Sequence, residues 1–189
     1  AAGDQSGNSV SLSSDGNTVA IGAHNNDGNG SYSGHVRVYN YNGSSWIQLG
    51  GDIDGEASGD RSGNSVSLSS DGNTVAIGAD LNDGSNGTYN PGHVRIYNYN
   101  GGSWTQLGND IDGEATGDNS GYSVSLSSDG NTVAIGARLN DGNGTDAGHV
   151  RLYNFDGSNW NQLGQDIDGE ASGDASGFSV SISADGTIV

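Results

Sequence analysis

Residues 3–23 read Gly3-Asp4-Gln5-Ser6-Gly7-Asn8-Ser9-Val10-Ser11-Leu12-Ser13-Ser14-Asp15-Gly16-Asn17-Thr18-Val19-Ala20-Ile21-Gly22-Ala23. Val10 and Leu12 alternate with serines, the period of two that marks a strand. Asp15-Gly16 then makes a tight hairpin turn, because glycine tolerates positive φ. Thr18 to Ile21 returns as a second strand and stops at Gly22. The same text reopens at Gly59, Gly117 and Gly173, so the chain repeats every 56 to 58 residues. The first three copies continue into an Asn/Asp/Gly loop, then Gly-His-Val-Arg, then a Trp and Gln-Leu-Gly-x-Asp-Ile-Asp-Gly-Glu-Ala.

Working outward through the first copy, His35 to Tyr39 is a third strand, rich in β-branched and aromatic residues. Asn42-Gly43 is a second hairpin turn, and Trp46 to Leu49 a fourth strand. No segment has a helical period. Four short antiparallel strands per unit is the arithmetic of a β-propeller blade. Small residues alternate with large ones in strands one and two, where blades crowd near an axis. Tyr39, Tyr41 and Trp46 lie farther out, where blades splay apart. The expected fold is therefore all-β: one repeat domain over 1–189, with four-stranded blades at about 3–58, 59–116 and 117–172. A partial blade at 173–189 should pack as the innermost part of a fourth. Three units and a fraction do not close a ring, so the polypeptide is expected to belong to a larger propeller or assembly.

Of 189 residues, 35 are Gly and one is Pro; Cys and Met are absent, and the formal net charge is -18. Such acidity argues against nucleic acid, which needs a basic surface. No apolar run reaches the roughly 20 residues that a membrane helix needs. The lack of Cys removes any disulfide or thiolate-metal framework.

The units resemble the FG-GAP repeat of integrin α-subunits and of bacterial and algal surface proteins. The family's Phe-Gly stands here as Ser6-Gly7, Ser62-Gly63, Ser120-Gly121 and Ser176-Gly177. Its Gly-Ala-Pro stands as Gly22-Ala23, Gly78-Ala79 and Gly136-Ala137, with His24, Asp80 and Arg138 in place of Pro. Many members carry a calcium loop between strands one and two. Here that connection is only Ser14-Asp15-Gly16-Asn17 and its copies, too short to wrap a cation. The resemblance implies a non-enzymatic extracellular or cell-surface module that binds through one loop face.

Antiparallel connections alternate between the two faces of a blade, so the loops between strands two and three share a face with the junctions between units. That face holds most of the acids: Asp52, Asp54, Glu56 and Asp60; Asp110, Asp112, Glu114 and Asp118; Asp166, Asp168, Glu170 and Asp174. The loops between strands two and three add Asp27, Asp80, Asp83, Asp141 and Asp146. Two readings stand for the junctions. They are calcium ligands, since calcium takes six to eight oxygens, or they are solvated carboxylates that keep a repetitive protein soluble.

Other recurrent residues have structural readings. Gly59-Asp60-Arg61-Ser62-Gly63 resembles the surround of a protease serine, but it recurs in every unit with no paired base. His35, His93 and His149 read as imidazoles bonded to neighbouring loops, and Arg37, Arg95 and Arg151 as partners of acids on adjacent strands or blades. Trp46, Trp104 and Trp160 read as wedges between blades. Asn29, Asn42, Asn86 and Asn143 head Asn-x-Ser/Thr glycosylation signals. No cofactor is implied beyond calcium. Adhesion to a protein or glycan is the leading function; a structural array building a fibre or coat is the alternative, favoured by the near identity of the units. Self-association or further blades are the expected partners of the chain's two ends.

Overall fold

The computed structural model describes residues 2–84 and 88–189. Among these every regular element is a strand. The first sheet holds β1 (Ser9–Leu12), β2 (Thr18–Ala23), β3 (His35–Tyr41) and β4 (Trp46–Gln48) in that order. The second holds β6 (Ser65–Leu68), β7 (Thr74–Ala79), β8 (His93–Tyr99) and β9 (Trp104–Gln106). The third holds β11 (Ser120–Leu126), β12 (Thr132–Ala137), β13 (His149–Phe155) and β14 (Trp160–Gln162). All pairs are antiparallel. Each sheet also has a two-residue strand, absent from the sequence reading, formed by the Ile-Asp of the junction. These are β5 (Ile53–Asp54), β10 (Ile111–Asp112) and β15 (Ile167–Asp168), each paired with the start of the sheet's third long strand. Strand three is seven residues long and strand four only three, so strand three has free edge groups for the extra pair.

The cores lie between sheets. One packs Ala20, Val36, Val38 and Ile53 against Val66, Leu68, Val75 and Ile77, capped by Leu49, Tyr97 and Trp104. The next repeats it with Ala76, Val94, Ile96 and Ile111 against Val124, Leu126, Val133, Ile135 and Tyr153. The serines that alternate with these residues carry a second joint. Ser11 Oγ accepts from Leu68 N at 2.9 Å, and Ser67 Oγ from Leu126 N at 3.0 Å. Ser9, Ser65 and Ser123 donate to the carbonyls of Gly63, Gly121 and Gly177, each at 2.7 Å. The hairpin turns are strung together as well: Ser14 N donates to Ser70 O, Ser70 N to Ser128 O, and Ser128 N to Ala184 O, each at 2.9 Å.

Gly22 shows why the Gly-Ala motif is glycine. A Cβ there would overlap the carbonyl oxygen of Gly63 in the next sheet. Residues 173–189 form no named strand, yet they meet Ser123 and Ser128 as just described, and Ile182 N donates to Ser125 Oγ at 3.1 Å. The first sheet leaves Val10, Leu12 and Trp46 exposed on its outward face, and Leu163, Ile167, Phe178 and Ile188 are exposed at the other end.

Candidate functional site

The loops between strands two and three lie against the unit junctions, as the strand order requires. Gly34, Gly92 and Gly148 form parallel bridges with Ser62, Ser120 and Ser176. Asn29 Nδ2 donates to the carbonyls of Gly55 and Glu56 at 2.9 and 3.0 Å, and Asn143 Nδ2 to Gly169 O at 2.8 Å. The amide nitrogen that a glycan would take on these two residues is thus turned into the junction. Asn42 lies in an exposed turn, where its Oδ1 accepts from the Ser44 and Ser45 amides. Asn86 lies outside the described residues.

The four acids of a junction do not converge. The last of each set caps its own turn: Asp60, Asp118 and Asp174 accept from the amides of Ala57, Ala115 and Ala171 at 2.8 to 3.0 Å. Asp60 and Asp118 are buried, and Asp118 also takes Asn140 Nδ2 at 2.9 Å. The first of each set stays with its own sheet. Asp52 accepts a two-pronged contact from Arg37, at 2.8 Å from Nε and 2.7 Å from Nη2, and a bond from Gln48 at 2.7 Å. These donors hold its carboxyl down at about 2, with Arg37 the largest cause. Asp110 takes Arg95 Nε at 3.1 Å and Gln106 at 2.6 Å; Asp166 takes Gln162 at 2.6 Å. The glutamate crosses to the next sheet: Glu56 pairs with Arg95, and Glu114 with Arg151 at 3.3 Å. Arg151 also donates to Asp112 O at 3.0 Å. Asp54, Asp168 and Glu170 are exposed, and Asp112 is half-buried.

Three mixed clusters result: His35 with Asp52 and Asp54, His93 with Glu56 and Asp110, and His149 with Glu114 and Asp166. The imidazoles are buried, and their Nδ1 atoms lie 3.5 to 3.8 Å from the nearest carboxylate oxygen. Burial pushes all three below the ordinary histidine range, which keeps them neutral near pH 7. Sequence reasoning treated each junction as one acidic run; a cluster shared between two sheets needs the register between units, which only the packing supplies.

Of the loop acids, Asp27, Asp83 and Asp141 are exposed and accept from the amides of Tyr32, Asn90 and Asp146. Asp146 is exposed, with φ 53°. Asp80 is a correction to the sequence reading: it is 4% exposed, because the next unit folds over it, and contributes nothing to an open face. The tryptophans wedge as expected where a preceding sheet exists. Trp104 Nε1 donates to Leu49 O at 2.9 Å, and Trp160 Nε1 to Leu107 O at 2.8 Å. Trp46, on the first sheet, lines an open hollow of about 340 Å³ with Ser6, Val19, Ile21, Arg37 and Tyr39.

The FG-GAP repeat family model matches residues 1–39 and 111–153. Over these two segments the chain is similar to the FG-GAP repeat. No curated protein matches it. Among solved structures, the chain is similar to a protein of Bacteroides uniformis described as a candidate 6-phosphogluconolactonase. The TM-score is 0.54 at 13% identity, over 84% of this chain and 40% of that one. Sqt1 of Saccharomyces cerevisiae is similar at a TM-score of 0.52 and 14% identity, over 86% of this chain and 35% of its own. At such identities the likeness shows the fold alone, and the chain spans less than half the length of either structure. Among the described residues no helix is long and apolar enough to cross a membrane.

Proposed function

We propose that this chain is a non-enzymatic, extracellular or cell-surface repeat module that offers its acidic loop face to a protein or glycan. One observation carries the reading. The loops between strands two and three are bonded to the junctions in all three units, so the exposed acids sit on a braced platform. Asp27, Asp54, Asp83, Asp141, Asp146 and Asp168 project from it without an arginine partner among the described ion pairs. A braced surface loses little conformational freedom on binding, which favours recognition. Calcium, if it contributes, would bridge these carboxylates to ligand oxygens.

The test is a glycan array and a panel of immobilised cationic peptides, each probed with the chain and with an Asp27→Asn, Asp141→Asn, Asp168→Asn variant. Binding that the variant loses, with an unchanged circular dichroism spectrum, is the expected result. Equal signals from both proteins would overturn the reading.

The alternative is a structural array. It is favoured by the near identity of the three units, whose sheets pack through the same kind of seam each time. Concentration-dependent growth in light scattering, suppressed by Trp46→Arg, would favour this reading.

A further inference from the structure

We propose that Glu114, His149 and Asp166 form a binding site for a divalent transition metal of the zinc class, at the seam between the second and third sheets. His149 opens β13, Asp166 lies between β14 and β15, and Glu114 arrives from the junction after β10. One candidate ligand atom from each lies within 4.8 Å of the other two. The site is independent of the loop-face reading above, since it lies in a seam rather than on the open platform.

The imidazole carries the argument. The His149 side chain is 1% exposed, and its Nδ1 has no hydrogen-bond partner. A buried polar atom left unsatisfied calls for an explanation such as a missing ion. Nδ1 points at Asp166 Oδ2 from 3.5 Å without forming a hydrogen bond. Two ligands on a tetrahedral zinc, each about 2.0–2.1 Å from the metal, stand about 3.4 Å apart. The donor set selects the metal class. One imidazole nitrogen with two carboxylates suits zinc and its neighbours, whereas calcium takes six to eight oxygens. Outer contacts orient the acids: Gln162 holds Asp166 at 2.6 Å, and Arg151 holds Glu114 at 3.3 Å.

The three seams are unequal. Arg95 grips both Glu56 and Asp110, so a cation beside His93 would share both carboxylates with a guanidinium. Arg37 grips Asp52 with two bonds, Asp54 stands 3.9 Å from His35 Nδ1, and among the described residues no glutamate joins that cluster. At His149 the arginine makes a single ion-pair contact, to Glu114, and leaves Asp166 to the histidine. One tight ion per chain is the expected stoichiometry.

The probe is zinc chloride, titrated calorimetrically into chelator-treated chain, with cobalt(II) absorption as a geometric readout. Expected are one tight zinc and the intense visible bands of four-coordinate cobalt. Glu114→Gln and Asp166→Asn alter partly exposed groups; each should weaken zinc at least tenfold while the metal-free circular dichroism spectrum matches the parent's. His149→Gln should abolish the cobalt bands. Glu170→Gln is the control, the same residue one unit on with no histidine facing it, and should bind zinc as the parent does. Equal losses from Glu170→Gln would show diffuse attraction to a chain of net charge -18 and overturn the site. Preference for calcium over zinc, or zinc binding untouched by the two acid variants, would overturn it as well.

Discussion

Asp80 stands where the first unit has His24 and the third has Arg138. It is buried, its Oδ1 has no partner, and Asn119 of the next unit reaches over to its backbone carbonyl at 3.1 Å. Burial pushes its pKa up from 3.8 to about 6, against the opposing pull of Arg61 and Arg138. A raised acid pKa favours the protonated fold, so this stability is fully present below about pH 4 and is lost as pH rises through 6. The difference amounts to about 3 kcal/mol at most. Asp80→Asn should therefore raise the melting temperature at pH 8 and change it little at pH 4. The histidines act in the opposite sense. His24, His35, His93 and His149 all have depressed pKa values through burial, so their contribution holds above about pH 6.5 and fades as pH falls. In the Asp80→Asn protein, denaturant titrations should show stability rising from pH 5 to pH 7. Asp80 was misplaced by sequence reasoning because its loop is rich in Asn, Asp and Gly; the Asn119 that reaches over it belongs to another unit.

At the scale of strands, alternation in Ser-Val-Ser-Leu and the Asp-Gly turns was enough to locate the four long strands of every sheet. The two-residue strands were not legible, since Ile-Asp inside an acidic run has no strand pattern of its own. Nor were the serine bonds between sheets, because a hydroxyl's partner depends on which sheet faces it. The tryptophans offer a matched comparison. Trp104→Phe loses the bond to Leu49 O and part of the seam, and should cost about 1–2 kcal/mol in chemical denaturation. Trp46→Phe, at a 48% exposed position, should cost less than about 0.5 kcal/mol. Gly78 lies beside the Gly121 carbonyl as Gly22 lies beside Gly63. Gly78→Ala should cost about 3 kcal/mol or more, because the obstacle is backbone and cannot swing aside.

For the molecule as a whole, charge and packing oppose one another. A net charge of -18 on 189 residues repels itself, and the acids are concentrated on one face. Raising sodium chloride from about 10 mM to 150 mM shortens the screening length from about 30 Å to 8 Å, so the melting temperature should rise with salt. A flat or falling profile would mean that the arginine pairs, rather than the repulsion, dominate the electrostatics. The blade-like architecture was legible at this scale because a period of 56 to 58 residues, repeated in register, leaves few other ways to bury so many short strands.

The serine and glycine contacts between sheets have a genetic consequence. Every unit presents on one side the hydroxyls that the next unit's backbone requires, and on the other the backbone that the previous unit's hydroxyls require. These serine and glycine contacts do not identify which unit they belong to. An unequal crossover that duplicates or deletes one unit would therefore create a junction already tested by the others. Copy number in such a gene can drift between related strains while each surviving protein still folds, and selection on length would have to act through reach or ring closure rather than through stability.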